Sequence, residues 1–223
     1  MWSTTFERFP TGKTPIVGAI TVSVYDWTRP QPGESRIFEH DALERLACGH
    51  PRVPLLLYTP FGLALIWLAL GRGMPWTRAI GAYAVGVLAW SIFEYVMHRF
   101  SFHHTPTTPG QVAFVYLVHG VHHAYPDDSR RWVMPMIVTM PVGLALFGIV
   151  WLASGDYALP AFAGFTHGYL AYDTLHYLIH HGPLPTPFGR FLRRHHMQHH
   201  YATPHARFGV SSPVWDVLLR TPR

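Results

Sequence analysis

Histidines are concentrated in the latter part of the chain, and their spacing there is typical of metal ligands. The chain contains 17 histidines among 223 residues, and 15 of them lie between His98 and His205. Residues three or four positions apart share one face of an α-helix, so their imidazole rings can converge. Ten imidazoles are well placed to act together: His98, His103, His119, His122, His123, His176, His180, His196, His199 and His200.

The number and arrangement of these imidazoles predict a site for two metal ions. A catalytic zinc usually takes about three protein ligands, so ten imidazoles are too many for one ion. In the two H-x2-H-H groups, at 119–123 and 196–200, the last two histidines point about 100° apart, which lets one helix serve two adjacent metals. Imidazole binds iron, copper or zinc, and spacing alone does not choose among them. The single cysteine, Cys48, excludes a cysteine-ligated zinc or iron–sulfur centre.

The first histidine group has a different spacing, H-x4-H-H, in which His98 precedes His103 by five positions. On an ideal α-helix two such residues point about 140° apart. We therefore expect the helix to end near His98, so that both rings can aim inward.

Two carboxylates inside apolar stretches, Glu94 and Asp173, are unusual for a membrane segment and tend to be functional. Each precedes a histidine group by about one helical turn, so either could orient a ligand by accepting its distal N–H. The alternative for each is an ordinary salt bridge with a nearby arginine. Three further histidines, His104, His181 and His195, adjoin better-placed ones, and each either orients a ligand or lies at the surface.

The composition and the apolar stretches predict an all-α integral membrane protein. Only 13% of the residues are charged and 49% are hydrophobic, against about 25% charged residues in an average soluble domain. Four apolar stretches, at 53–70, about 79–97, about 132–152 and about 157–179, are long enough for transmembrane helices. We therefore expect four transmembrane helices in two hairpins, with a helical cap that holds a histidine-rich dimetal site.

The positive charges predict which side of the membrane carries the histidines. With four crossings, every lysine and arginine except Arg72 and Arg78 falls on the side of the histidine groups and of both termini. Cytosolic segments carry an excess of lysine and arginine, so we expect that side, with the helical cap, to be cytosolic. The basic residues form no stripe, and we expect no nucleic-acid partner.

Two units follow from this arrangement. Residues 1–52 form a cytosolic lead-in with a short amphipathic helix over 35–48 on the membrane surface. Residues 53–223 form the membrane domain, whose histidine-rich core spans about 86–218.

Five segments together resemble the fatty acid hydroxylase/sterol desaturase superfamily of membrane di-iron enzymes. They are, in chain order, HRFSFHH, HGVHHAYPDDSRRWVMP, YDTLHYLIHHG, RRHHMQHHY and RFGVSSPVWD. Within that superfamily the chain is most similar to fatty acid 2-hydroxylases that act on sphingolipid acyl chains. The resemblance runs from SRIFEHDALERL to the C-terminus. It implies that the ten histidines named above are the ligands of two iron ions.

The resemblance also implies a reaction and its partners. The irons would use O₂ to place a hydroxyl at C-2 of a fatty acid or of the acyl chain of a sphingolipid-like lipid, with no catalytic residue beyond the ligands. Eukaryotic relatives often carry a fused cytochrome b5 domain with an HPGG motif. Residues 1–50 contain no such motif and are too short for that domain. We therefore expect electrons from a separate reductase, cytochrome b5-type or ferredoxin-type donor, and zinc could replace iron in recombinant material.

Other activities stay open at this point, because the histidine boxes do not separate them well. Within the superfamily they are a sterol desaturase or oxidase, a carotenoid hydroxylase and an alkylglycerol monooxygenase, although YPDDSRRWVMP and RFGVSSPVWD favour the fatty acyl hydroxylase. A non-catalytic membrane metal transporter is a more distant alternative. Transporters place their ligands near the bilayer midplane, whereas these histidines lie at the ends of the apolar stretches and in loops.

Overall fold

Helices account for nearly all of the regular structure in the described part of this chain. The computed structural model describes residues 16–17, 20–21, 30–131 and 134–222. In that part of the chain a small antiparallel hairpin pairs Ile16–Val17 (β1) with Ile20–Thr21 (β2). Apart from this hairpin, the prediction of an all-helical fold is confirmed. The rest of the predicted lead-in before residue 30 lies outside the described residues.

Long apolar helices are accompanied by shorter ones, and the clustered histidines lie on several of the shorter helices and near the end of one long helix. In chain order the α-helices are Asp41–Leu46 (α1), Arg52–Gly71 (α2), Trp76–Val96 (α3), Pro109–Val115 (α4), Val121–Ala124 (α5), Met136–Ser154 (α6), Ala158–His181 (α7), Pro187–Tyr201 (α8) and Val214–Leu218 (α9). Two π-helical turns extend them: Met97–Phe102 continues α3, and Tyr116–Gly120 joins α4 to α5. A 3₁₀ turn, Gly155–Tyr157, joins α6 to α7.

Three stretches of the described chain are long and apolar enough to cross a membrane, judged by length and composition. They are Arg52–Gly71, Trp76–Phe102 and Val138–His181. The third is 44 residues long and includes most of α6, all of α7 and the turn between them. The helices lie within a few residues of the predicted apolar stretches. The four crossings, and the cytosolic side of the cap, stay predictions.

Helix α7 is the centre of the helical core, because both α2 and α3 pack along it. Glycines allow α3 and α7 to approach closely. A Cβ added at Gly86 would lie 1.8 Å from the carbonyl oxygen of Ala161, and one at Gly164 would lie 2.0 Å from that of Tyr83. Small residues at such crossings let helix backbones pack tightly where lipid offers no hydrophobic driving force. This packing fixes the ends of α3 and α7, and those ends carry His98, His176 and His180.

The segment before α2 is fastened to the loop that follows α5. The backbone N–H of Ser35 donates to Asp128 Oδ2 over 2.7 Å, and the buried Arg131 forms an ion pair with Glu44. Burial raises the pKa of the Asp128 carboxyl, but hydrogen bonds from Arg130 and Ser35 outweigh burial and hold that pKa below its usual value. Of the predicted interfacial helix over 35–48, only α1 is helical.

Replacing Arg131 with alanine should destabilise the fold by about 3 kcal/mol or more, because it leaves the Glu44 carboxylate buried without its cationic partner. Thermal unfolding of the detergent-solubilised protein would measure the loss. The matched control is Arg36→Ala, since Arg36 pairs with Asp41 at the surface and should leave the unfolding midpoint unchanged. Equal midpoints for the two variants would contradict the role given to the Arg131–Glu44 pair.

Candidate metal centre

The ten predicted histidines come from five short parts of the chain that converge on one side of the helical core. The π-helical turns and the residue after the first of them carry His98, His103 and His119. Helix α5 carries His122 and His123, and the end of α7 carries His176 and His180. Helix α8 carries the remaining three, His196, His199 and His200.

Five of these residues form the first histidine cluster, in which each offers a ring nitrogen within 4.8 Å of all the others: His98, His103, His119, His123 and His199. All five side chains are buried. The Nε2 atom of His119 lies 3.0 Å from Nε2 of both His98 and His123.

The other five form the second histidine cluster, with the same mutual separation of their ring nitrogens: His122, His176, His180, His196 and His200. His196 lies at its centre. Its Nε2 atom is 3.0 Å from Nε2 of His176, of His180 and of His200. All but His180 are buried, and His180 is partly buried.

The two clusters adjoin each other because α5 and α8 each serve both. In α5, His122 belongs to the second cluster and His123 to the first, and in α8 the neighbours His199 and His200 divide in the same way. The rings of His123 and His200 stack across the boundary with centroids 4.1 Å apart. This division follows the spacing of the H-x2-H-H groups. The first and last histidines of each group are four residues apart and share a helix face, so they enter the same cluster. The middle histidine points to one side and enters the other cluster.

The crowding of ring nitrogens fits bound metal ions better than hydrogen bonds. A ring nitrogen has either one proton or one lone pair, so Nε2 of His196 can make one such hydrogen bond, not three. Burial, and then the neighbouring histidines, lower the pKa of His196 well below its usual value, which favours the neutral, metal-binding form. Nitrogens about 2.1 Å from one ion are about 3.0 Å apart at right angles and about 3.4 Å apart in a tetrahedron. The 3.0 Å spacing of the Nε2 atoms therefore fits one cation in each cluster.

The π-helical turn after α3 explains how His98 and His103 reach one cluster. The α-helix ends at Val96, two residues before His98, as the sequence predicts, but the chain then continues as a π-helical turn. The chain stays helical to Phe102, and the backbone N–H of His103 donates to the carbonyl of His98 over 3.1 Å. A bond that spans five residues defines a wider turn than the α-helix has. The two rings therefore lie on one side, with centroids 5.0 Å apart.

Backbone carbonyls near the C-terminus fix two rings of the first cluster. Nδ1 of His98 donates to the carbonyl of Phe208 over 2.5 Å, and Nδ1 of His199 donates to that of Ala206 over 2.7 Å. A carbonyl oxygen only accepts, so Nδ1 carries the proton in both rings and Nε2 keeps its lone pair for a metal.

The predicted orienting carboxylates do not contact the histidine clusters directly. Glu94 accepts hydrogen bonds from the backbone N–H groups of Val210 and Ser211, each over 2.9 Å. Asp173 is 2% exposed, and its Oδ1 atom has no hydrogen-bond partner in the part of the chain that the structure describes. Among the residues that the structure describes, neither Glu94 nor Asp173 forms an ion pair with an arginine.

The three additional histidines lie in different surroundings. His104 and His181 are exposed. His195 is buried, and its Nε2 atom lies 3.1 Å from Asp216 Oδ2 rather than in either cluster.

Sequence reasoning missed Asp216 as part of the site. Its carboxylate accepts hydrogen bonds from the backbone N–H groups of Phe208 and Gly209 over 2.9 and 2.8 Å, and from His195. Asp216 therefore holds the chain segment whose carbonyls fix His98 and His199. The segment RFGVSSPVWD contains it, but no spacing rule links a carboxylate to backbone groups seven and eight residues earlier.

Comparisons with known proteins identify the family and the relatives of this chain. The family model described as fatty acid hydroxylase matches residues 83–221, which include all ten histidines. The chain belongs to the fatty acid hydroxylase family. The resemblance predicted from the histidine boxes and the C-terminal segment is thereby confirmed.

Individual relatives are hydroxylases of acyl lipids by name. The chain is 39% identical over 176 residues to the ceramide very long chain fatty acid hydroxylase SCS7 of Saccharomyces cerevisiae, covering 76% of this chain and 43% of that protein. It is 31% identical to the dihydroceramide fatty acyl 2-hydroxylase FAH1 of Arabidopsis thaliana, covering 83% and 79% of the two chains. It is 29% identical to the human fatty acid 2-hydroxylase, covering 92% and 61%.

A solved structure has the same fold. It is described as full-length scs7p with only the hydroxylase domain visible, and it matches with a TM-score of 0.82 at 33% identity. The match covers 87% of this chain and 75% of that one. The chain spans less than half of the yeast SCS7 sequence but about four-fifths of the Arabidopsis FAH1 sequence.

Proposed function

We propose that this membrane protein hydroxylates C-2 of a fatty acid or of the acyl chain of a sphingolipid-like lipid. One observation carries the proposal: two adjoining clusters of five imidazoles lie at the ends of the long apolar helices α3 and α7. The relatives named as 2-hydroxylases and ceramide hydroxylases support the choice of substrate class.

The reaction converts a C–H bond into C–OH with one oxygen atom of O₂, while the other oxygen atom, two electrons and two protons form water. No side chain can oxidise an unactivated C–H bond, and two iron ions with O₂ would supply that chemistry. An external reductase, cytochrome b5-type or ferredoxin-type donor would supply the electrons. Zinc would occupy the same imidazoles without supplying this chemistry, since it has no redox activity.

The residues of this chain hold the site and keep water away from it. The ten imidazoles would bind the two ions, and His98 and His199 are kept in the metal-binding tautomer by the carbonyls of Phe208 and Ala206. Nine of the ten histidines are buried, so bulk water has little access to the site.

The acyl chain would approach from the membrane along the outer surface of α3 and α7, because these helices pack too closely for a chain to pass between them. Aromatic rings of Trp90, Tyr169 and Tyr172 lie in contact between these helices, and the Tyr172 ring lies 5.6 Å from the ring of His176. These surfaces would guide an apolar chain towards the second cluster.

We further propose that α2, α3, α6 and α7 each cross the bilayer, with both termini and the metal site in the cytosol, as the arginine distribution predicts.

Expression in a host that lacks 2-hydroxylated lipids, grown with iron, should produce 2-hydroxy acyl lipids that lipid mass spectrometry detects at C-2. An inactive double variant, His122→Ala with His176→Ala, is the matched control and should yield none. Hydroxylation at another carbon, or a new double bond or sterol product, would instead favour one of the other superfamily activities.

A further inference from the structure

The two histidine clusters differ in how the protein supports their outward-facing nitrogens. In the first cluster, Nδ1 of His98 and of His199 each donate to a backbone carbonyl. In the second cluster, the Nδ1 atoms of four buried rings have no hydrogen-bond partner among residues 30–131 and 134–222: His122, His176, His196 and His200.

The segment that supplies the two carbonyls is held rigidly from two sides. Asp216 binds the N–H groups of Phe208 and Gly209, and Glu94 binds those of Val210 and Ser211. A Cβ added at Gly209 would lie 2.1 Å from the carbonyl oxygen of Ser212, so only glycine fits there. We call residues 206–211 the carbonyl segment.

The carbonyl segment also closes off the first cluster. The ring of Phe208, which is 4% exposed, lies 5.7 Å from the ring of His98, 5.6 Å from that of His103 and 5.8 Å from that of His199. No ring contact joins Phe208 to a member of the second cluster among the described residues.

A hydrogen bond from Nδ1–H to an acceptor fixes the ring's orientation and tautomer, and it makes Nε2 a stronger ligand. Losing such a partner typically lowers metal affinity by about 10- to 100-fold. Two rings of the first cluster have this support, and four rings of the second cluster do not find it in the described protein. The difference should therefore appear as unequal metal affinities.

We propose that the first cluster holds its metal tightly and the second cluster holds an exchangeable metal, with Asp216 as the positioning residue that makes them unequal. Asp216 acts through the carbonyl segment and touches no ligand of either cluster. This inference rests on the proposed dimetal function. It adds that the two positions fill and empty in a fixed order.

The test is metal content, measured by plasma mass spectrometry after the purified full chain is equilibrated with a series of chelator concentrations. We expect a fall from about two ions to about one, with the last ion leaving at a chelator concentration at least about tenfold higher. Release of both ions in a single step would overturn the proposal.

Variants assign each step to a cluster. His180→Ala should remove the weakly held ion and leave one that resists the chelator, whereas His119→Ala should leave only an ion that is lost easily.

Asp216→Asn should move the release of the resistant ion to a chelator concentration about tenfold lower and leave the release of the other ion unchanged. The matched control is Asp128→Asn, a buried carboxylate that binds Ser35 rather than the carbonyl segment, and it should change neither step. The opposite assignment in either histidine variant would refute the proposal.

This experiment separates the inference from the function on which it rests. A chain that binds no metal under any loading condition contradicts both. A chain that hydroxylates lipid but holds two ions with equal affinity contradicts only the inequality.

Discussion

Replacing His196 with alanine should reduce the yield of 2-hydroxy acyl lipid by at least about 100-fold. The Nε2 atom of His196 lies 3.0 Å from the Nε2 atoms of three other histidines, so its removal opens the centre of the second cluster. Loss of a residue that only orients a ligand already costs about 10- to 100-fold in affinity or activity. Lipid mass spectrometry at matched expression levels would measure the effect.

The control for this variant is His181→Ala. His181 directly follows a member of the second cluster, yet its side chain is exposed and belongs to neither cluster. It should retain nearly full activity. Retained hydroxylation in His196→Ala, or equal losses in both variants, would contradict the placement of a metal at the second cluster.

Removing the metal ions should lower the stability of the fold by about 4 kcal/mol or more. An ion present at about 1,000 times its dissociation constant stabilises the native state by roughly that amount. In a chain of this size each kcal/mol shifts the unfolding midpoint by about 2–4 °C, so the midpoint should fall by roughly 10 °C. Thermal unfolding with and without chelator, followed by restoration of the metal, would measure the shift.

The chelator effect has an internal control. In His196→Ala the chelator should cause a smaller fall in the midpoint, because one of the two ions is already lost or weakly held. An unchanged midpoint in the wild-type chain, after metal analysis shows complete removal, would show that the imidazole clusters are stable without cations.

The sequence predicted the helices and the ten histidines because both depend on local patterns. Apolar length placed α2, α3 and α7 within a few residues of their observed bounds. Helical periodicity placed His119 beside His123 and His196 beside His200, since residues four apart meet on one face. Agreement among four separate groups made a shared site the simplest explanation.

The parts that the sequence did not predict depend on contacts between distant residues. Nothing local indicates that Glu94 binds the backbone of Val210, more than a hundred positions later. Nor does spacing reveal that Asp216 holds the carbonyl of Phe208 in place for His98. The same limit applies to the pairing of Arg131 with Glu44, which needs the folded position of the segment before α2.

The π-helical turn Met97–Phe102 has a consequence for how the gene can vary. Such a turn is equivalent to one extra codon placed inside an α-helix. Deleting one residue between His98 and His103 would restore the ordinary helical pitch and place the two histidines four residues apart, about 40° from each other around the helix. Such a deletion would therefore keep both rings facing the first cluster, whereas an α-helix that retained all of these residues would point the two rings about 140° apart.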